Sequence, residues 1–318
     1  MSAQGTDIFL KAHEAEFRTL EVTADSLGNT YVVGSSENKT SIKKYDVSGV
    51  ITLERKIDQI TNPVAVAMGD NGFLYVANSR NVARVKLSDL TVDADEVIGA
   101  DKLLDNHPSP NTGLSNMLIS DIVHVPATGK VVACAELQEV HWVRFFVFDD
   151  EFTSTTDVTA VDVRALGYTG GGGTSARALA ADDQGFVYMV GESAVNVNDT
   201  RLSGNAGYIA KLDTNGTPAL EKVVYLNGLN DLFDVEYANG WLYTVGVNNS
   251  NGVVVWRQDT TLFGLPSMNG TDVQIDRPEV DSVFYVTNSD YSDLLFDSDG
   301  KKGRFSIEVD AEKNIYFS

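Results

Sequence analysis

The chain has 318 residues, of which 43% are hydrophobic, and this composition is typical of a globular protein with a substantial core rather than of a disordered chain. Forty-five acidic residues against 24 Lys and Arg give a formal net charge of −21, which repels nucleic-acid backbones and anionic membrane surfaces. We therefore expect neither nucleic acid nor membrane insertion among its interactions.

The beginning of the chain, MSAQGTDIFLKAHEAEF, has no basic segment followed by a long apolar run, which is the pattern of a secretory signal peptide. No uninterrupted apolar stretch approaches the ~18 residues that a membrane-spanning helix needs. From these two observations we expect a protein of the cytoplasm or of a virion.

The first predicted unit begins with an inner strand, TLEVTAD, and a tight turn, DSLGN. Asp, Asn and Gly suit such a turn because they tolerate positive φ. The next strand, YVVG, is almost wholly apolar, as expected for a strand covered on both faces. A third strand, TSIKKYD, and an outer strand, ITLERKI, follow across the turn DVSG. The unit therefore predicts a four-stranded sheet.

The same order of strand, turn and apolar strand recurs along the chain, and one aligned position marks each repeat. The residues at that position are Tyr31, Tyr75, Val132, Tyr188, Tyr243, Tyr285 and Tyr316. Their spacings of 31 to 57 residues centre on the length of a four-stranded propeller blade. We predict an all-β protein whose residues 1–318 form a single β-propeller domain, with seven blades by repeat count and six as the alternative.

Two units carry a resemblance to a known family. The pattern D-x-x-G-N-x-Y-V-x-G followed by S-I-K-K-Y-D-x-S-G runs from Asp25 to Gly49 and is echoed in Asp182–Gly191 with Gly207–Gly216. It resembles the seven-bladed β-propeller repeat (SBBP) family and is close in style to NHL propellers. The resemblance implies a propeller with a scaffold or binding role, and it transfers no catalytic residue. Similar repeats occur in bacterial surface proteins and in structural proteins of marine bacteriophages.

The two ends of the chain predict a shared blade. Residues 303–318 supply two strands, SIEV and NIYFS, and no more. Residues 1–16 precede the first complete unit, and within them Thr6–His13 resembles the third-strand pattern of TSIKKYD. We expect this segment to be a closing strand that pairs with the C-terminal strands and removes an exposed sheet edge.

The best metal candidate is the acidic stretch SDYSDLLFDSDGKKG, in which Asp297 and Asp299 stand in a D-S-D-G sequence that starts like a calcium loop. The following KKG lacks the glutamate that a twelve-residue loop would need. A solvated turn without a cofactor is therefore the expectation, with Ca²⁺ as the alternative.

Candidates for partner binding come from long or aromatic-flanked loops, which are often functional on a compact scaffold. The first loop spans residues 99–116, the second 192–207 and the third 253–270. The candidate side chains in them are Asn106, His107 and Asn111, then Asn198 and Arg201, and finally Trp256 and Arg257. For Trp256, packing in the core is the preferred interpretation.

Motifs for catalysis are weak in this sequence. The four histidines have no zinc-site spacing, no G-x-S-x-G is present, and Gly170–Gly173 lacks the Lys of a phosphate-binding loop. Cys134, between apolar neighbours, is expected to be a small buried side chain. We predict a non-enzymatic scaffold that binds proteins of a larger assembly or surface glycans, such as a phage virion or tail component. The alternatives are a hydrolase or lactonase-like enzyme with Ca²⁺ in the central channel, and a carbohydrate-binding lectin.

Overall fold

The computed structural model describes residues 17–93, 95–99, 103, 117–137, 142–152, 157–163, 174–193, 196–197, 200–201, 206–226, 229–248, 253–260, 271–273, 281–286, 306–310 and 314–317. The chain forms two compact units, residues 1–99 with 152–155 and residues 100–151 with 156–318. Within the described ranges, no helix is long and apolar enough to cross a membrane.

The first unit holds two four-stranded sheets, and in each the strands lie in sequence order with antiparallel neighbours. The first sheet consists of β1 (Phe17–Ala24), β2 (Thr30–Ser36), β3 (Lys39–Tyr45) and β4 (Ile51–Ile57). The second sheet consists of β5 (Ala65–Met68), β6 (Phe73–Ala77), β7 (Val82–Lys86) and β8 (Val97–Ile98). Apolar side chains of both sheets, among them Tyr31, Ile42 and Leu74, pack into one core cluster.

The second unit begins with two larger sheets. The third sheet consists of β9 (Met117–Val125), β10 (Lys130–Leu137), β11 (Trp142–Asp149) and β12 (Thr159–Asp162). The fourth sheet is built from β13 (Thr174–Ala181), β14 (Phe186–Ser193), β17 (Ala206–Asp213) and β18 (Ala219–Leu226). A short hairpin, β15 (Asn196–Val197) and β16 (Thr200–Arg201), separates β14 from β17 in the chain.

The fifth sheet follows directly, and its strands are β19 (Leu229–Ala238), β20 (Trp241–Asn248), β21 (Val253–Asp259) and β23 (Asp281–Val286). Between the last two, β22 (Thr271–Val273) leaves the fifth sheet and adds to the fourth as a parallel neighbour of β18. A two-stranded sheet of β24 (Ile307–Val309) and β25 (Ile315–Phe317) comes last. Three apolar clusters pack between the sheets of this unit.

The first strands of four sheets share an irregularity: one residue, or two residues in β19, is left out of the pairing with the second strand. A bulge of this kind bends the strand and redirects the side chains next to it. At the position that the four strands share, the residues that follow the omitted one are Glu21, Asp121, Ala178 and Asp234, while the additional shift in β19 precedes Asp231. Three of the four are acidic, and their carboxylates lie at the same position of the repeat.

The predicted hairpins and four-stranded antiparallel sheets are confirmed in both units. One aligned position is wrong: Tyr285 lies on β23, the outer strand of the fifth sheet, and begins no sheet of its own. The sequence VFYV resembles a second strand, because this outer strand and the second strands of the sheets are both apolar and both follow a polar turn. The predicted closing strand, Thr6–His13, lies outside the described residues, so closure and the blade count stay predictions.

Candidate functional site

Three of the aligned tyrosines hold the turns that precede them. The Tyr31 hydroxyl donates a hydrogen bond to Asp25 Oδ2 over 3.0 Å, and the Tyr188 hydroxyl donates one to Asp182 Oδ2 over 2.9 Å. Tyr316 makes the same bond to Asp310 over 3.1 Å. In each case the carboxylate lies six residues before the tyrosine, so this spacing of Asp and Tyr encodes a contact across the hairpin, and Lys313 stands in the third case where the first two have glycine.

The second oxygen of the same carboxylates caps the turn backbone. Asp182 Oδ1 accepts hydrogen bonds from the amides of Gln184 and Phe186, at 2.9 and 2.8 Å. Burial, followed by the charge of Asp182, raises the pKa of Tyr188, so this hydroxyl stays a proton donor at neutral pH. The repeat signature is therefore a structural device, and its acidic and phenolic groups are engaged in holding the turn.

A second set of carboxylates joins neighbouring sheets. Glu21 Oε2 accepts the Val66 amide at 3.1 Å, which ties β1 to β5. Asp121 Oδ2 accepts the amide of Leu179 at 2.6 Å, which ties β9 to β13. These are the residues that follow the bulges, so the bulge aims each carboxylate at the first strand of the next sheet. A charged acceptor strengthens such a bond relative to a neutral one.

The third of these bridges belongs to a group of three acids. Asp234 accepts the Ile307 amide at 2.9 Å and the neighbouring Val235 amide at 2.9 Å. Burial, then the charges of Glu308 and Asp234, raise the pKa of Glu236 to about 8. Burial and the Asp234 charge also raise the pKa of Glu308. This acid cluster of Asp234, Glu236 and Glu308 is a place where negative charges oppose one another, which disfavours their joint ionisation.

An exposed apolar surface lies at one end of the first sheet. The turns between β1 and β2 and between β3 and β4 lie at the same end, and they touch: a β-carbon added to Gly28 would stand 3.1 Å from a methyl carbon of Val47. Leu27 is 79% exposed and Val47 66%, and beside them Val50 and Ile51 are also exposed. We call Leu27, Val47, Val50 and Ile51 the turn patch. Exposed apolar clusters of this kind mark interaction surfaces.

The fourth sheet provides an internal comparison for the first of these turns. The sequence from Asp25 to Gly28 has the same arrangement as that from Asp182 to Gly185, with both carboxylates capping their turns and both glycines at positive φ. Leu27 corresponds to Gln184 in this alignment. The turn conformation therefore does not require an apolar side chain at this position.

The turn between β3 and β4, which carries Val47 and Val50, also does not require apolar side chains. Asp46 Oδ1 caps its turn through the Ser48 amide, and Asp213 Oδ1 does so through the amide of Asn215, at 2.9 and 2.8 Å. The apolar Val47 and Val50 of the first sheet correspond to Thr214 and Thr217 of the fourth. The apolar character of the turn patch is therefore a property of the first sheet and not of the repeat.

Charge is distributed unevenly between the first sheet and the remaining chain. Residues 17–60 contain six Lys or Arg and six Asp or Glu, so they contribute nothing to the net charge of −21. The exposed residues around the turn patch, Ser26, Ser48 and Thr52, are uncharged. The patch is thus an apolar surface with a hydroxyl rim and the partly exposed carboxylates of Asp25 and Asp46, on a neutral sheet of an otherwise acidic protein.

Most predicted site residues fall outside the described part of the chain: Asn106, His107, Asn111, Asn198, Asp297 and Asp299. Arg201 lies on β16 and Trp256 on β21. The guanidinium of Arg257 stacks 4.5 Å above the Trp241 ring within the fifth sheet. Their roles in partner binding stay predictions.

Cys134 and His124 carry side chains that can serve in catalysis, and both are buried in the third sheet. Cys134 is fully buried, as predicted, and burial raises the pKa of its thiol, which disfavours the reactive thiolate. The buried His124 ring lies 3.1 Å from Asp150 through Nε2, and this contact joins β9 to the end of β11. Both side chains help to hold the third sheet.

Comparison with known proteins supports the fold. No family model and no curated protein sequence matches the chain. Hydrazine synthase of Kuenenia stuttgartiensis is similar in structure with a TM-score of 0.60, 14% identity and coverage of 100% of this chain and 77% of that one. Virginiamycin B lyase of Staphylococcus aureus gives a TM-score of 0.53, 15% identity and coverage of 96% and 78%.

The WD40 domain of Pan2 from Neurospora crassa is also similar, with a TM-score of 0.51, 10% identity and coverage of 93% of this chain and 69% of that chain. These neighbours are β-propeller proteins, so the sheets of this chain are propeller blades. Because they include enzymes as well as a WD40 domain, the fold assigns no activity.

Proposed function

We propose that this protein is a non-catalytic β-propeller scaffold that binds another protein through the turn patch. The observation that supports it is the exposure of Leu27 and Val47 at turns whose counterparts in the fourth sheet carry the exposed Gln184 and the buried Thr214. Exposed apolar side chains cost solubility unless a partner covers them. The repeat carboxylates, in contrast, are engaged in capping turns and joining sheets.

We further propose that the protein is a structural component of a bacteriophage virion or tail. This proposal stands on the sequence resemblance of Asp25–Gly49 to SBBP repeats. A rigid scaffold suits an assembly of this kind, because a preformed binding surface loses little conformational entropy when its partner docks.

The experiment that tests the proposal is fractionation of the native source. Sedimentation through a density gradient is expected to place the protein in the fractions of a large particle, detected by an antibody against the purified chain. A protein that remains in the light fractions at its native concentration would contradict the assembly role.

A second candidate is a Ca²⁺-dependent hydrolase or lactonase-like enzyme, and the acid cluster favours it. A divalent cation would relieve the mutual repulsion of Glu236 and Glu308, and carboxylate oxygens are the ligands that Ca²⁺ prefers. Both oxygens of Asp234 already accept backbone amides, which leaves two carboxylates for an ion that takes six to eight ligands. The scaffold is therefore the preferred proposal.

A further inference from the structure

Two buried polar side chains of the fifth sheet have unused hydrogen-bonding groups. Thr244 on β20 and Gln258 on β21 are both fully buried. Within the described part of the chain, the Thr244 hydroxyl and both the amide nitrogen and the amide oxygen of Gln258 have no hydrogen-bond partner. A buried polar group without a hydrogen bond destabilises the folded state, and native proteins nearly always supply a partner for it. These three atoms therefore indicate a bound partner other than the described residues.

The register of the sheet brings the two side chains together on one face. Leu242 of β20 pairs with Gln258, and Thr244 follows Leu242 by two residues, so all three side chains point to the same face. Thr244 and Gln258 are then diagonal neighbours, whose α-carbons are roughly 7–8 Å apart. The two groups do not bond each other directly. A single small molecule can span such a gap with two hydrogen bonds of about 2.8 Å each.

This face of the fifth sheet is covered by the fourth sheet. Leu242, which shares the face, packs in one apolar cluster with Tyr188 and Ile209 of the fourth sheet. Thr244 and Gln258 therefore lie between two sheets of the same unit, closed to bulk solvent. A ligand there has to be small, because protein interiors are packed as closely as organic crystals.

The first four sheets place apolar or aromatic side chains at both positions. On the second strands, the residue after the aligned position is Thr244 in the fifth sheet and Val32, Val76, Ala133 and Met189 in the others. On the third strands, the residue paired with the one before the aligned position is Gln258 in the fifth sheet and Tyr45, Val85, Phe148 and Leu212 in the others. The propeller repeat thus requires neither polar residue, and the fifth sheet has both of them at adjoining positions.

Charge and size select the ligand. An amide and a hydroxyl both donate and accept hydrogen bonds and carry no net charge, so they suit a neutral ligand better than an ion. Water fits this chemistry, because buried waters typically make about three hydrogen bonds to polar groups that otherwise lack partners. We propose that Thr244 and Gln258 form an internal binding site for a water molecule that bridges β20 and β21 at the contact with the fourth sheet. The site lies in the interior of the second unit and does not depend on the proposed scaffold function.

A high-resolution crystal structure of the wild-type chain tests the site directly. We expect an ordered water at about 2.7–3.2 Å from both the Gln258 amide and the Thr244 hydroxyl. A structure in which the amide bonds directly to protein groups, or in which no ordered water lies within reach of both side chains, would overturn the inference. Because this experiment uses the wild-type chain, it decides the question even if a variant fails to fold.

Magnetic relaxation dispersion of the water ¹⁷O signal counts long-lived internal waters in solution. The double variant Thr244→Val with Gln258→Met replaces both polar groups by apolar ones of similar size, and we expect it to hold one long-lived water fewer than wild type. The matched control is Thr214→Val, which removes a fully buried hydroxyl that already has protein partners, the Gly185 carbonyl at 2.7 Å and the Thr128 hydroxyl at 2.9 Å. Equal numbers in wild type and the double variant, or the same loss in the control, would contradict the inference.

Discussion

Tyr188 donates its hydroxyl to Asp182 across 2.9 Å, with both side chains buried at the hairpin between β13 and β14. The bond joins the first residue of the turn to the strand that leaves it, and it recurs in the first sheet and in β24–β25. The fixed six-residue spacing of Asp and Tyr in these three units is therefore explained by one repeated hydrogen bond.

Removing this bond where it is buried destabilises the protein. For Tyr188→Phe we expect a loss of about 1–2 kcal/mol in the free energy of unfolding, measured by urea denaturation, because Asp182 loses a buried partner. The matched control is Tyr316→Phe, which deletes the same bond at a residue that is 58% exposed. Water can replace that hydroxyl, so the control should change stability by less than about 0.5 kcal/mol. Equal effects would contradict this account.

The bridges between sheets are expected to contribute more. Asp121→Ala leaves the Leu179 amide without its carboxylate acceptor in the sheet interior, and we expect a loss of about 2–3 kcal/mol. The control is Asp149→Ala, which removes an exposed carboxylate that pairs with Lys130 at the surface. Chemical denaturation of both variants gives the comparison. A loss in Asp121→Ala no larger than in the control would show that the bridge does not join the sheets.

The acid cluster makes stability depend on pH. The pKa of Glu236 is raised in the folded protein to about 8, from an ordinary value of 4.5, so folding favours its protonated form. The stabilising contribution of that proton is present below pH about 4.5 and is lost as pH rises towards about 8. Glu236→Gln should therefore lose less stability than wild type between about pH 5 and about pH 8.

Urea midpoints at the two pH values measure this difference. Glu37→Gln is the control, because Glu37 is fully exposed and its pKa is lowered by the hydrogen bond with Lys56. Parallel pH profiles for wild type and Glu236→Gln would mean that Glu236 ionises freely in the folded state.

Calcium separates the two candidate functions. The scaffold account predicts that the thermal midpoint of the wild-type chain is the same in millimolar Ca²⁺ and in chelator, since no ligand stabilises the folded state. An increase of several degrees that chelator reverses would favour the enzyme. If Glu236→Gln abolished such an increase, the acid cluster would be the site of the ion.

Sequence patterns predicted much of the fold because turn chemistry is local. Asp and Tyr six residues apart define a hairpin without reference to distant residues, and this is why the alignment of Tyr31, Tyr188 and Tyr316 is confirmed. Tyr285 was misaligned because an apolar outer strand and an apolar second strand have the same pattern. The order of strands in the sheet distinguishes an outer strand from a second strand, and that order depends on contacts between residues distant in sequence.

The functional surface was harder to predict, since exposure is a tertiary property. Leu27 in a turn could be buried under a neighbouring sheet or exposed to solvent, and hydrophobicity does not distinguish the two cases. A usable signal existed in the repeats: Leu27 stands where the fourth sheet has Gln184. The bridges have a signal as well, because Glu21 and Asp234 are acids within the first strands of their sheets.

The central claim is that the turn patch attaches this protein to its assembly. The most direct measurement compares wild type, the double variant L27E/V47E and the control L118E, which changes an exposed apolar side chain on β9, each expressed in the native source, by density-gradient sedimentation. The account predicts that wild type and L118E sediment with a large particle while L27E/V47E remains in the light fractions with an unchanged melting temperature. Sedimentation of the double variant with the particle, in the same proportion as wild type, would contradict it.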